Sequence, residues 1–356
     1  MPARAPRPVY PFTAIVGQEE LKLALLLNAI NPHIGGLLIR GPKGTGKSTS
    51  VRALSDILPE IDVVEGCRFN CNPTDPTNMC EDCLTRYRKN EVLPKLARPM
   101  RVVTLPIGAT EDRVVGSLDI EQAIKLGIRA LEPGILAEAN QNILYIDEVN
   151  LLPDHITDDI LDVAASGWNI VEREAISLGH PARFMLIGTM NPEEGELRPQ
   201  LMDRFALHVN VNEILDEKAR VSVIKNNLTF GENPLEFVKS FQDKQNEMRR
   251  KILEARDNLK EVLIPDAIFE AVARACIALK IDGHRPDIVA VNSAKTLAAM
   301  NGRKEVSSED VLQVASMAVG FRTRREGFEE PATPAEIQES FGSALKEKGL
   351  TYAQLH

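Results

Sequence analysis

Gly41-Pro42-Lys43-Gly44-Thr45-Gly46-Lys47-Ser48 is the stretch on which the reading of this 356-residue chain turns. It satisfies G-x-x-x-x-G-K-[ST] and lies between an apolar run at 36–40 and a helical pattern that begins near Ser48, the strand-to-helix setting that a phosphate loop needs. Glycines in such a loop let backbone N–H groups converge on phosphate oxygens, and a helix N-terminus adds a dipole that favours an anion. In that setting Lys47 reaches β- and γ-phosphates, Ser48 offers its hydroxyl to Mg²⁺, and Thr49 adds a contact to the α-phosphate. A ligand-free glycine turn matches the same letters, so the flanking strand and helix carry the distinction.

Working outward, the apolar runs at 101–105, 143–147, 183–188 and 207–211 join 36–40 as expected strands. They alternate with helical patterns, the rhythm of a parallel sheet flanked by helices. Residues 19–29 carry Leu21, Ala24, Leu25 and Asn28 at helical spacing and predict an amphipathic helix ahead of the first strand. Two stretches exceed the minimal alternation. One is 111–132; the other, 167–181, alternates apolar and charged residues about a turn-like centre and predicts a β-hairpin. From residue 213 the pattern is helical: a charged stretch at 234–261, then 265–280, 286–301, 307–318 and 334–348. Pro265 and Pro286 suit first helical turns, and Ser307 with Asp310 resembles a cap. The expected organisation is an α/β core over 1–212 with insertions near 66–98, 111–132 and 167–182. A helical linker over 213–262, a helical lid over 263–322 and a tail over 323–356 follow.

The run Ile143-Leu144-Tyr145-Ile146-Asp147-Glu148 ends an apolar strand in two acids. Asp147 is the candidate for the Mg²⁺ shell and Glu148 for polarising an attacking water; a solvated strand end is the plain alternative. Asn191 closes the next strand, where its amide can bond both a γ-phosphate and the lytic water, although Asn before Pro is also a common turn element. Arg204 is the candidate arginine finger, with Arg198 second, because a guanidinium stays charged and forks onto phosphate oxygens. The competing reading is an Asp203–Arg204 surface ion pair of little worth.

Composition bounds the rest. Hydrophobic residues make up 44% and charged residues 26% of the chain, as in ordinary globular proteins, and no apolar run approaches the ~20 residues that span a bilayer. A formal net charge of −9 disfavours a duplex-tracking surface, so no nucleic acid partner is expected. Residues 1–11 lack the apolar core of a secretory signal and are short for a transit peptide, which points to a cytoplasmic chain. Four of the five cysteines cluster as Cys67-x3-Cys71-x8-Cys80-x2-Cys83, with Cys276 apart. A zinc site, a thiol switch and plain free thiols all fit that spacing.

The order phosphate loop, acidic strand end, polar strand end and arginine resembles the AAA+ family, and the two insertions resemble its clade with a helix-2 insert and a pre-sensor-1 hairpin. More closely, the chain resembles the ATPase (I) subunits of magnesium chelatases. The resemblance is carried by IVGQEELKLAL at 15–25, GPKGTGKST at 41–49, EDRVVGSLDIEQAI at 111–124, EPGILAEAN at 132–140 and LYIDEVNLLPDHI at 144–156. VEREAISLGHPARF at 171–184, GTMNPEEGELRPQLMDRF at 188–205 and GHRPDI at 283–288 complete it. It implies a three-layer P-loop core with an all-α lid, and ATP with Mg²⁺ as cofactors. It also implies Asp147 and Glu148 as Walker B, Asn191 as sensor 1, Arg204 as a finger acting on a neighbour, and Arg285 as sensor 2. Val16, Gly17 and Gln18 would line the adenine pocket. Arg285 stands before Pro286 at a helix start, where the local dipole does not help a cation, which favours a role facing an anion.

The implied activity is ATP hydrolysis coupled to Mg²⁺ insertion into protoporphyrin IX in (bacterio)chlorophyll biosynthesis. The implied partners are further copies in a hexameric ring, a second AAA+-like D-type subunit and a large porphyrin-binding H-type subunit. The cysteine cluster resembles the cyanobacterial and plastid branch, which implies the cytoplasm of a cyanobacterium-like cell or a plastid stroma. With aromatics at 4%, one Trp and scattered His155, His180 and His208, no porphyrin pocket is legible in the chain itself. A chaperone-like AAA+ ATPase acting on a protein substrate would show the same motor motifs and is the alternative reading.

Overall fold

The computed structural model describes residues 8–118, 131–173, 176–202, 204–323 and 331–350. The chain forms two compact units, Gly41–Leu201, and Met1–Arg40 together with Met202–His356.

In the unit Gly41–Leu201, strands Val102–Leu105, Ile143–Ile146 and Met185–Met190 run parallel, with Ile143–Ile146 in the middle. Every residue of Ile143–Ile146 and Met185–Met190 is buried, which explains their continuous apolar runs, since a parallel strand is covered on both faces. The last strand starts two residues later than the expected 183, because the backbone N–H of Arg183 donates to Asn140 Oδ1 at 2.9 Å instead of to a ladder partner. Helix Lys47–Leu54 follows the phosphate loop and buries Val51, Ala53 and Leu54. Helix Asp154–Ser166 buries Ile156, Ile160, Leu161 and Val163 along one face and ends at Gly167, whose φ of 70° is the left-handed conformation that closes a helix. The expected hairpin then forms: Trp168–Arg173 pairs antiparallel with Ile176–Pro181.

The insertion at 111–132 begins as helix Glu111–Val115 and continues into Gly116–Leu118, antiparallel to Leu131–Pro133. Residues 119–130, the centre of the expected helix-2 insert, lie outside the described residues. The insertion near 66–98 holds elements the sequence did not announce. Ile61–Val64 pairs antiparallel with Lys95–Arg98, and between them helix Glu81–Arg88 and the cysteine loop enclose a small core of Val64, Cys71, Met79, Cys80, Cys83 and Leu93.

This subsidiary core is fastened by side-chain amides. Buried Asn140 donates to Phe69 O at 2.9 Å and to Asn78 Oδ1 at 2.7 Å. Gln141 donates to Asp62 O and Asn70 O at 3.0 and 2.8 Å. Asn142 accepts from the N–H of Arg101 at 2.9 Å. The hairpin joins the same corner, where the fully buried His180 ring stacks on Phe69 with centroids 4.9 Å apart. His180 Nδ1 faces Pro181 O at 3.0 Å and must carry the proton, so Nε2 accepts from the Asn169 amide at 2.9 Å.

In the other unit, strand Gly36–Arg40 lies parallel to Phe205–Asn210, and helix Glu19–Ile30 buries Leu21, Ala24, Leu25 and Asn28, the positions that carried the sequence pattern. The charged stretch at 234–261 is two helices, Pro234–Ser240 and Gln242–Asn258, parted at Phe241. Phe241 packs on Phe237, and Phe237 on Phe230 and Tyr10, an aromatic cluster that fixes the break. Helices Asp266–Ala278, Arg285–Met300, Ser308–Val319 and Pro334–Glu347 follow within a residue or two of expectation. Ser307 and Asp310 form a full capping box, as do Thr333 and Glu336, each satisfying N–H groups at the helix start that would otherwise lack partners.

Two outcomes follow. Replacing Asn140 by Ala strips a partner from Phe69 O and Asn78 Oδ1 in the insertion and from the N–H of Arg183, and should lower unfolding stability by about 2–4 kcal/mol, read from the urea midpoint. Burial holds the His180 pKa below its ordinary value, so in acid the unfolded chain takes up a proton that the folded chain resists. Its contribution is therefore complete above about pH 6.5 and declines as pH falls through the folded value, by at most about 1.4 kcal/mol per pH unit. The urea midpoint should drop between pH 7.5 and 5.5 by less in His180→Gln than in the parent, the pH settings being chosen to bracket about 6.5.

Candidate functional site

The phosphate loop is shaped by its backbone. Gly44 and Gly46 both have φ of 81°, and a Cβ added at either would meet nothing within 4 Å, so glycine is needed there for its left-handed conformation and not for space. The loop is anchored to its neighbouring strand by Gly41 N–H donating to Met190 O at 3.1 Å, and within itself by Thr45 Oγ1 donating to Pro42 O at 3.0 Å. Lys47 Nζ donates to Gly41 O and Pro42 O at 2.6 and 2.7 Å. Burial pulls its pKa down, against the opposing pull of Asp147, Glu148 and Glu194, so this ammonium is a partly desolvated charge held inside the loop.

Strand Ile143–Ile146 delivers the acids. Asp147 Oδ1 accepts from the Tyr145 and Thr189 hydroxyls, both at 2.7 Å, and its two oxygens lie 3.4 and 3.5 Å from Ser48 Oγ. Tyr145 OH stands 2.9 Å from Ser48 Oγ as well, and burial pushes its pKa up to about 12, which keeps it a donor. Glu148 follows with φ 56° and ψ 58°, a left-handed backbone that non-glycine residues seldom adopt. Its N–H donates to Thr189 Oγ1 at 3.3 Å, and its carboxylate lies 3.8 Å from Lys43 Nζ, which pairs with Glu194 at 2.5 Å.

The expected residues divide by unit. Lys43, Lys47, Ser48, Asp147 and Glu148 converge in Gly41–Leu201. Asn191 is buried at the end of Met185–Met190, and its Oδ1 accepts from Glu193 N–H at 3.3 Å, the turn role that Asn before Pro supports. Asn150 Nδ2 donates to Asn191 O and Gly195 O, at 3.4 and 3.1 Å. Arg198 pairs with Asp154 on the surface. Val16, Gly17, Gln18, Arg204 and Arg285 belong to the other unit. There Gly17 and Gln18 take φ of 64° and 54° in succession, with Ile214 packed beside Gly17. Arg285 is the first residue of its helix, and its Nη2 donates to Arg204 O at 2.7 Å. Asp203 lies outside the described residues. Sequence reasoning missed Tyr145 and Thr189: in an apolar strand nothing marks one hydroxyl as the partner of a carboxylate elsewhere.

A phosphate loop whose lysine and serine face an acid-ended parallel strand, in a chain whose second unit is largely helical, defines a P-loop ATPase of the AAA class. Comparison with known families agrees: the AAA domain of the dynein-related subfamily matches residues 89–205 and the AAA lid domain matches 269–340. The family described as magnesium chelatase, subunit ChlI, matches residues 11–72. Among curated relatives, a magnesium-chelatase subunit ChlI homolog of Methanocaldococcus jannaschii is 56% identical over 340 residues, spanning 96% of this chain and 92% of its own. The ChlI subunit of Nephroselmis olivacea is 49% identical over 94% of each chain, and the chloroplastic ChlI-1 of Arabidopsis thaliana is 49% identical over 95% of this chain and 80% of its own. A cryo-EM-based structure of the complex between subunits BchI and BchD of magnesium chelatase contains a chain 46% identical, matching 94% of this chain and 100% of that one with a TM-score of 0.53. A Cytophaga hutchinsonii protein described as an ATPase, 17% identical with a TM-score of 0.61, shares the fold. The chain belongs to the magnesium-chelatase ChlI family of AAA ATPase subunits. No described helix is long and apolar enough to cross a membrane.

The Asp147 cluster makes its own prediction. Tyr145→Phe removes a hydrogen bond to a charged acceptor and should lower unfolding stability by about 1.5–3 kcal/mol. In an Asp147→Asn background the same change should cost distinctly less, which a double-mutant cycle of urea midpoints would read.

Proposed function

We propose that this chain is the ATP-hydrolysing motor subunit of a magnesium chelatase, coupling ATP turnover to Mg²⁺ insertion into protoporphyrin IX in (bacterio)chlorophyll biosynthesis. The observation that carries the reading is the meeting of Ser48 with Asp147 beside the partly buried Lys47. An all-oxygen pair, a hydroxyl and a carboxylate, suits Mg²⁺, a hard cation that is held through few protein ligands and its substrate's phosphates. Ser48 and Asp147 would hold that ion, which neutralises charge on the transferred phosphate.

The chain's own residues do the rest. The N–H groups of 41–46 and the start of helix Lys47–Leu54 receive the phosphates, and Lys47 exchanges its two loop carbonyls for phosphate oxygens. Glu148, whose carboxylate lies 3.8 Å from Lys43 Nζ, orients the attacking water and takes its proton. Asn191 reports on the γ-phosphate. Arg204, with Arg198 beside it in sequence, completes a neighbour's site in a hexameric ring. Arg285 reaches the γ-phosphate from a lid over 263–322, while Val16–Gln18 line the adenine pocket of a core over 1–212. In this account the D-type and H-type subunits are the partners and the H-type subunit carries the porphyrin. The 46% identity to a chain in a BchI–BchD complex supports a D-type partner.

Glu148→Gln should keep ATP-dependent assembly while lowering steady-state ATP hydrolysis by about 100-fold or more, measured as phosphate release; undiminished turnover would remove Glu148 from this role. Lys47→Ala should lose ATP affinity by about tenfold or more, measured by calorimetric titration. The coupled function is tested by adding this protein and ATP to H-type and D-type chelatase subunits with Mg²⁺ and protoporphyrin IX: metallation requiring both is expected, and ATP hydrolysis with no metallation would contradict the chelatase assignment.

A further inference from the structure

The strongest concentration of reactive side chains apart from the nucleotide site is the thiol cluster of the 66–98 insertion. The Sγ atoms of Cys67, Cys71, Cys80 and Cys83 all lie within 4.8 Å of one another, and those of Cys67 and Cys80 are 3.9 Å apart. Metal–sulfur bonds of about 2.3 Å directed to the corners of a tetrahedron set sulfur–sulfur edges of about 3.8 Å, so the four sulfurs stand close to the spacing that one ion demands. The same spacing is too tight to enclose a core of several irons. All four are free thiols, and the 3.9 Å pair is far from the ~2.05 Å of a disulfide.

The convergence is built by the chain. Cys67 sits in a turn closed by its own N–H to Val64 O at 3.1 Å, just past strand Ile61–Val64, and Cys71 O accepts the N–H of Val64 at 2.9 Å. Cys80 stands at the N-cap position of helix Glu81–Arg88 and Cys83 lies in its first turn. A loop and a helix start thus each aim a pair of sulfurs at one point. Backbone donors address the sulfurs: Cys80 N–H points at Cys71 Sγ at 3.0 Å and Phe69 N–H at Cys67 Sγ at 3.4 Å. A thiol is a poor acceptor while a thiolate is a good one, so these contacts form the outer support that a thiolate site needs. Val64, Met79 and Leu93 exclude water around it, and only Cys67 is more than slightly exposed.

We propose that Cys67, Cys71, Cys80 and Cys83 bind one Zn²⁺ as a closed, structural tetrathiolate site. Each thiol releases its proton as it ligates, and no coordination position is left for a substrate. The role follows from what the loop holds. Phe69 O, Asn70 O and Asn78 Oδ1 receive the amides of Asn140 and Gln141, and that segment leads directly into strand Ile143–Ile146 and so to Asp147. The ion would stiffen the insertion against which the acid-bearing strand is seated.

The test is metal analysis of the full chain, purified without chelator and without a metal-affinity tag, beside a count of free thiols in the native and denatured protein. One zinc per chain is expected, with the four cluster thiols protected until denaturation. Exchange into Co²⁺ should produce thiolate-to-cobalt charge-transfer and tetrahedral d–d bands. Cys83→Ser should lose the zinc and lower the melting temperature, whereas Cys276→Ser should change neither. If Cys83→Ser does not fold, the zinc count and the cobalt spectrum of the parent chain decide. No zinc retained after equimolar Zn²⁺ and desalting, iron in its place, or a disulfide among these cysteines in the freshly isolated protein would overturn the proposal. ATP turnover plays no part in these readouts, so they stand or fall apart from the chelatase reading.

Discussion

One carboxylate oxygen organises the site. Asp147 Oδ1 accepts two hydroxyls at 2.7 Å, from Tyr145 on its own strand and from Thr189 on the next, while Ser48 at the start of the phosphate-loop helix faces the same carboxylate. Hydrogen bonds to an ionised acceptor are roughly twice as strong as neutral ones, and here they add to the backbone ladder between two parallel strands and bring the helix start against it. Glu148 inherits its place from this arrangement. Its left-handed backbone carries a strain of about 1–3 kcal/mol, and the N–H that this conformation presents is received by Thr189 Oγ1 at 3.3 Å. The Thr189 hydroxyl that bonds Asp147 therefore also holds the backbone of the next residue.

The seat of that strand is polar in an unusual way. Asn140, Gln141 and Asn142 stand in succession before Ile143, and their amides bond the insertion on one side and the starts of neighbouring strands on the other. Amides offer donors and acceptors together, so three consecutive residues can satisfy backbone groups of four separate segments without bringing charge into the interior. The pre-sensor hairpin joins the same corner through His180 on Phe69. The insertion near 66–98 is thus bound to the strand that carries the acids and is no loose appendage.

Much of this was legible in the sequence, and for identifiable reasons. The parallel strands announced themselves because burial on both faces demands unbroken apolar runs, and the phosphate loop because glycine takes without strain the φ of 81° at residues 44 and 46, which other residues seldom adopt. Helix starts were marked by Pro265, Pro286 and the Ser307–Asp310 box. What stayed hidden depends on contacts between distant residues. The strand Lys95–Arg98 is largely exposed, so its composition reads as a charged loop. The break at Phe241 is set by rings from residues 10, 230 and 237. Tyr145 and Thr189 look like ordinary strand residues until the fold lays them beside Asp147. The support around the cysteines comes from backbone N–H groups, which every residue carries and no spacing reveals.

The central claim is that the Ser48–Asp147 pair is the metal seat of a nucleotide site. The direct measurement is ATP affinity with and without Mg²⁺ for the parent protein and for Asp147→Asn. The account predicts that Mg²⁺ tightens ATP binding in the parent, and that the variant keeps the metal-free affinity while losing that enhancement by about tenfold or more. Equal tightening by Mg²⁺ in both proteins would contradict it.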